Sequence, residues 1–576
     1  MACNGCRLKW LAAGLGLAIA LLAACHAVDN YFVIRHPSVC SSTLDPAACA
    51  EEIRVARRSL GVLPRPISAT SAAMVTSLSA RAHAIQSFAQ EIRRMNFANV
   101  RMRNVVAGDC ERQSDTALYH LGKASAALAA GSNQEDVPYW LAAARRQMSN
   151  CLDGFQEFAP AALNTPSGVM LNSVIHRSAA TYDAAVALAT NGAKAAMAQV
   201  AQRGRQTMEH VDDTPESEGR PTWVEEGLYE QIKELQAHLV GDAEAAGTWA
   251  ERGRRVLERS ETEKLMGNAR RQLQGGTSKA ATKLTPNAVV GKGEKYNKIS
   301  GALKAAPSKG RFVIFIKAGR YKEQLVINKE GIILIGEGKD KTIITNSDSV
   351  AGGSSTYGSA TVTANKDGFM AVGLTIANEA GPEGNQAVAL MVSGDRSAIY
   401  DSAITGYQDT LCVDAGRQYY KNCYISGFTD FIFGDAAALI DSPTIFLRAG
   451  KKKVQITASG RESDTPTGIV IRSGKVQSES GVRLAYLGRP WKDCARVVYV
   501  DTNLPKEIQP DGWSTWNGGK PKSCHYYAEK GSTGPGAASQ RASWAKPGII
   551  SDAKQFGPQT FLELSKWLNV VDGILK

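Results

Sequence analysis

Histidine is nearly missing from the second half of this chain: after residue 273 only His525 remains. A histidine-rich metal site is thereby nearly excluded there. No Gly-x-Ser-x-Gly segment occurs, which argues against a serine triad on a nucleophile elbow. No Asn-x-Ser/Thr sequon occurs, so no N-linked glycan is expected. The apolar run from Trp10 to Ala24 is short for a membrane span, which needs about 20 apolar residues. Carboxylates are left to carry any hydrolytic chemistry.

The run follows Arg7 and Lys9 and precedes the small residues Cys25-His26-Ala27. Residues 1–27 therefore read as a cleaved signal peptide, with an uncleaved signal anchor as the alternative. Cleavage after Ala27 leaves eight cysteines, Cys40, Cys49, Cys110, Cys151, Cys412, Cys423, Cys494 and Cys524. An even number in an oxidising compartment suggests disulfides. At 576 residues two or more domains are expected. The net charge is +12, of which about +11 falls after residue 273. A basic surface there suits a polyanion, either nucleic acid or an acidic polysaccharide.

The period of the apolar residues divides the chain. Residues 28–205 carry Ala and Leu at helical spacing, as in Leu78–Ile92, Ala117–Ala130, Val137–Phe155 and Ala179–Ala201, and predict an all-α antiparallel helix bundle. Cys40 and Cys49 fit a local staple there, and Cys110 and Cys151 lie on different predicted helices. Residues 206–285 read as a charged linker with weak helical patterning at 228–239 and 243–265. It holds the dibasic Arg270-Arg271-Gln272-Leu273, a candidate processing site.

From 286 to 576 the period becomes that of short strands: Phe312–Ile316, Gln324–Ile327, Ile332–Ile335, Thr342–Thr345, Ala360–Thr363, Phe369–Ile376, Val388–Val392, Ala398–Ile404, Gln418–Ile425 and Ala437–Phe446. Ile404, Ile425 and Ile445 recur at spacings of 21 and 20. Two segments 21 residues apart, Ile404-Thr405-Gly406-Tyr407-Gln408-Asp409-Thr410-Leu411 and Ile425-Ser426-Gly427-Phe428-Thr429-Asp430-Phe431-Ile432, share one pattern. Repeats of this length are the mark of a parallel β-solenoid. Asp409 and Asp430 should then stack at the inter-strand distance, about 4.8 Å. Two carboxyls that close differ in protonation, which gives an acid beside a base or nucleophile.

Gln386 precedes Gln408 by 22 residues, about one coil, so two amides could donate to an oxyanion beside the pair or form a structural ladder. Arg489 and Trp491 lie two apart in Leu487-Gly488-Arg489-Pro490-Trp491 and share a face if extended. Arg489 could hold one aspartate ionised, and Trp491 could stack on a sugar.

The second half resembles the plant pectin methylesterases. The resemblance rests on Gly319-Arg320-Tyr321-Lys322-Glu323, Gln386-Ala387-Val388-Ala389-Leu390, Gly406-Tyr407-Gln408-Asp409-Thr410-Leu411, Asp430-Phe431-Ile432-Phe433-Gly434 and Leu487-Gly488-Arg489-Pro490-Trp491, in that order. It implies a right-handed parallel β-helix. Asp430 would be the nucleophile, Asp409 the general acid and then base, Gln386 and Gln408 the oxyanion donors, and Arg489 the partner of Asp430. Thr356, Gln386, Arg489 and Trp491 would contact substrate. The first half resembles the inhibitor-type pro-domain of such enzymes, through Cys40–Cys49 and Asn150-Cys151-Leu152-Asp153-Gly154-Phe155, with Cys110 as partner of Cys151. Arg270–Leu273 is similar to the family's cleavage motif, with Gln272 in place of leucine.

The departures from the pattern are Asp435 for Asn, Asp414 for His, Pro443 where a cysteine would pair with Cys423, and Cys412 and Cys494 for Tyr. Asp435 should bring a third carboxylate near Asp430 and raise its pKa. Cys412–Cys423 and Cys494–Cys524 are the expected replacement bridges. The implied protein is a secreted cell-wall pectinesterase that turns methylated homogalacturonan into pectate and methanol. It would need no cofactor or metal, bind no nucleic acid, and be processed by a protease at Arg270–Leu273. Its other partner would be its own pro-domain. The alternatives are a catalytically weakened pectin-binding or inhibitor-type protein, and a β-helix glycosidase.

Overall fold

The computed structural model describes residues 67–94, 100–209 and 286–568, apart from 517, 520–523 and 539. The leader, the Cys40 and Cys49 pair, the weak helical patterning expected at 228–239 and 243–265, and Arg270–Leu273 lie outside the described residues.

The first half is helical, as its periodicity predicts: α1 (Ile67–Arg94), α2 (Val100–Ala130), α3 (Val137–Phe158) and α4 (Pro166–Glu209). Their apolar faces bury Met74, Leu78, Ile85, Val106, Leu121, Leu141, Phe155 and Tyr182 in one core. Pro138, in the first turn of α3, suits a position whose N–H has no partner in the helix. Cys110 of α2 and Cys151 of α3 form the expected disulfide.

From Ala288 the chain winds as a β-helix of three parallel sheets, one with eleven strands and two with seven. Every strand pair within them is parallel, and the order skips by three throughout the two seven-stranded sheets and the middle of the eleven-stranded one, so each central coil lends one strand to each wall. Register converts sequence period into stacking: Ile376, Ile404, Ile425 and Ile445 pair in succession down one wall, all buried. Fully burying such a side chain stabilises by about 1.5–3 kcal/mol.

Several expected strands are in fact two strands with a corner between. Ala398–Ile404 divides into Ser397–Tyr400 and Ala403–Thr405, and Gln418–Ile425 into Arg417–Lys421 and Tyr424–Gly427. At each corner one residue takes a left-handed backbone: Asp401 (φ 46°), Asn422 (φ 54°) and Ser442 (φ 56°). Asp and Asn tolerate that region better than other non-glycine residues, because their short side chains bond locally.

The described residues up to Lys194 and those from 286 onward belong to one compact unit. Helix α3 faces the coil with ionic side chains. Buried Arg146 lies 3.5 Å from Asp414 and donates to the Tyr357 hydroxyl at 3.2 Å. Its guanidinium sits 4.6 Å from the Trp491 ring centroid. Asp414 has no exposure and also accepts from Gln147, from Asn150 at 2.7 Å and from Ser393 at 2.7 Å.

Candidate active site

Asp409 and Asp430 follow the ends of successive strands in one wall, Ala403–Thr405 and Tyr424–Gly427. Gln408 is in parallel register with Thr429, and Leu411 with Ile432, so the two aspartates between them occupy one position on adjacent coils. Gln386 bridges to Gln408 one coil earlier. Both aspartates have left-handed backbones, with φ of 60° at Asp409 and 48° at Asp430. Asp is one of the few non-glycine residues that take this backbone readily. The preceding glycine is needed for close approach: a Cβ on Gly427 would lie 2.6 Å from the Tyr407 carbonyl oxygen.

The seven residues singled out from the sequence, Thr356, Gln386, Gln408, Asp409, Asp430, Arg489 and Trp491, all line one cleft of about 590 Å³. Arg489, from the strand Ala485–Pro490, grips Asp430 with two parallel bonds, Nε to Oδ1 at 2.9 Å and Nη2 to Oδ2 at 2.5 Å. Its guanidinium lies 4.2 Å from the Trp516 ring centroid. Trp491 packs against Phe433 and Trp516, with centroids 6.0 and 6.5 Å away. Thr356 Oγ1 is buried and finds no hydrogen-bond partner among the described residues.

The pair is electrostatically unequal. Burial pushes Asp409 well above the usual carboxylate range, and the charges of Asp430 and Glu157 push it further. Burial raises Asp430 as well, a shift that the bonds and charge of Arg489 reduce without cancelling. Burial and the neighbouring charges thus favour the protonated form of Asp409, whereas Arg489 favours the ionised form of Asp430.

Asp435 does not join this pair. Its carboxylate accepts from Thr467 Oγ1 at 2.5 Å and faces Arg146, Arg461 and Arg145, and burial pushes it up to about 7. It is not among the groups that shift Asp430. The expected third carboxylate beside Asp430 is thus turned away toward arginines. The expected Cys412–Cys423 bridge is also absent, since both thiols are free and buried. They belong to different clusters: Cys412 packs with Val388, Met391 and Phe433, whereas Cys423 lies in the main core of the coil. Cys494–Cys524 is formed.

Sequence reasoning missed the helical half's share of the cleft. Asp153, Gln156 and Glu157 from α3 line it. Gln386 Nε2 donates to Glu157 Oε1 at 2.6 Å, and Lys492 Nζ to Asp153 Oδ1 at 2.7 Å. Burial and the charge of Asp153 push Glu157 up to about 7, against the lowering bond from Gln386. No sequence period links a helix to a coil, so only the acids on the last two turns of α3 hinted at this.

Coil and cleft together define a parallel β-helix protein with a paired-carboxylate site under a helical cover. A profile of the Pectinesterase family matches residues 287–565, and one of the plant invertase/pectin methylesterase inhibitor family matches residues 36–191. The chain is 41% identical over 306 residues to a pectinesterase of Daucus carota, covering 50% of this chain and 95% of that protein. It therefore belongs to the pectinesterase family. It is 42% identical over 315 residues to the probable pectinesterase/pectinesterase inhibitor 17 of Arabidopsis thaliana, covering 52% of this chain and 60% of that protein. The chain spans roughly half to three fifths of the length of the first curated relatives it matches. Among solved structures it is similar to the pectin methylesterase from carrot, at 39% identity and a TM-score of 0.49, covering 50% of this chain and 97% of that one.

Proposed function

We propose that this protein is a secreted cell-wall carboxylic ester hydrolase that removes methyl esters from homogalacturonan. Asp430 attacks the ester carbonyl carbon at C6. The tetrahedral oxyanion takes N–H bonds from Gln386 and Gln408. The C–O bond to methoxide breaks as Asp409 gives its proton to the departing methanol. Water, deprotonated by Asp409, opens the acyl-enzyme and returns Asp430 as carboxylate. Arg489 holds Asp430 ionised and aimed, and Thr356 and Trp491 contact the sugar. No step requires a metal or organic cofactor.

The observation that carries this reading is the unequal pair itself: Asp430 gripped by Arg489, and Asp409 raised by burial, on neighbouring coils of one cleft. Carboxyls about 5 Å apart also suit a retaining glycosidase. Two amide donors beside the pair, and membership of the pectinesterase family, favour the ester. The deciding assay gives the fragment beginning near residue 275 highly methylated pectin. Methanol without new reducing ends is expected; new reducing ends would establish the glycosidase instead.

The helical half acts as a cover in this reading. Glu157 occupies the amide of Gln386, and α3 fills part of the cleft. A protease acting at Arg270–Leu273 would separate the halves. Arg271→Ala should then leave an uncut chain, and an unchanged mature fragment would place the cut elsewhere.

A further inference from the structure

The turn that carries Asp430 has a longer and strongly basic neighbour. Between the strands Tyr424–Gly427 and Ile432–Gly434 the chain needs only the short segment holding Phe428 and Asp430. One coil on, between Thr444–Leu447 and Val454–Ser459, it runs Arg448-Ala449-Gly450-Lys451-Lys452-Lys453. The register between the coils advances from 20 residues before the turn (Gly427 with Leu447) to 25 after it (Ile432 with Thr457), so the basic turn is an insertion on the rim.

This insertion is a built feature. Gln455 N–H donates to the Phe428 carbonyl at 2.8 Å, and Phe428 N–H to the Tyr407 carbonyl at 2.8 Å, which stacks the basic turn on those of Asp430 and Asp409. The Arg448 guanidinium lies 4.1 Å from the Tyr407 ring centroid and bonds the Gly406 carbonyl at 3.3 Å. Glu479 accepts the Ala449 N–H at 2.7 Å and fixes the start of the turn. Lys451, Lys452 and Lys453 are all exposed, and no ion pair holds them among the described residues. They stay exposed with the helical half seated over the cleft. Three adjacent ammonium groups left without counter-charges repel one another, and a polyanion relieves that.

We propose that the turn Arg448–Lys453 is a docking site for de-esterified, carboxylate-bearing uronate polymer, open in the full-length chain while the cleft is covered. This inference rests on the esterase reading for its choice of polyanion. The turn lies one coil, about 4.8 Å of rise, beyond the segment of Asp430. A polymer strand that has lost its methyl groups could thus be held there while a methylated stretch lies at the cleft.

The test uses the full-length chain and immobilised polygalacturonate, at about 25 and 150 mM salt, where screening separates charge-driven binding. Lys451→Ser/Lys452→Ser/Lys453→Ser should weaken binding at least about tenfold at the lower salt. Lys292→Ser/Lys295→Ser/Lys298→Ser, three exposed lysines at the other end of the coil, should change it less than about twofold. Fully methylated pectin should not distinguish the two variants. Equal loss in both would reduce the effect to net charge and overturn the site, as would undiminished binding by the first variant. Dextran sulfate depending on the turn more strongly than polygalacturonate would overturn the assigned ligand. Turn-dependent uronate binding with no methanol release from any form would leave the site standing and remove the esterase reading.

Discussion

Gln386 and Glu157 come from opposite halves of the chain and meet at 2.6 Å inside the cleft. The amide proposed to stabilise the oxyanion is therefore already engaged by a carboxyl of the cover. In the covered cleft Glu157 is raised to about 7 from an ordinary 4.5. The covered state prefers the protonated acid, and the open state releases it to ionise. Glu157 thus favours covering fully below its ordinary pKa, and that contribution is lost as pH rises through 4.5 toward about 7. The side chain is partly solvated, so the effect should be only a few-fold. The ratio of methanol release by cut and uncut chain should fall between about pH 5 and 7, and Glu157→Gln should flatten the change.

Asp430→Asn should lower methanol release by about a thousandfold or more while pectin binding persists, because an amide cannot serve as the nucleophile. Asn tolerates the left-handed backbone at this position, so the fold should be kept. Thermal melting beside a methanol assay checks both parts. Retained turnover would remove Asp430 from the role.

Arg146→Ala should loosen the cover. Arg146 is buried against Asp414, Tyr357 and Trp491, and its loss leaves Asp414 buried without its cation. Removing one partner of a buried pair costs about 3–5 kcal/mol. After cleavage of the linker, the variant helical half should co-purify with the coil far less than the native one. Undiminished co-purification would show that the halves are held elsewhere.

Asp435→Asn should change methanol release by the cut chain less than about threefold, since Asp435 faces Thr467 and arginines rather than Asp430. A large gain would instead show that this carboxylate reaches the reacting pair.

Most of the coil was legible because a solenoid turns sequence period into contact. Ile404, Ile425 and Ile445 could be stacked on paper, and so could Asp409 and Asp430. The corners were harder. Ala398–Ile404 reads as one apolar run, and the signal that divides it is Asp401, a polar residue whose left-handed backbone turns the chain. Cysteine pairing was legible in part: Cys110–Cys151 and Cys494–Cys524 form, whereas Cys412 and Cys423 face different packed clusters. Asp153 and Glu157 were legible only as acids near the end of a helix, because their approach to the cleft depends on docking two halves, which no spacing encodes.

The left-handed bends beneath the two acids have an evolutionary corollary. Asp, Asn and Gly are the residues such a bend accepts cheaply. One codon change from Asp to Asn would remove a carboxylate of the pair without disturbing the winding of the chain. Descendants of this scaffold can therefore keep its winding after losing a carboxylate of the pair.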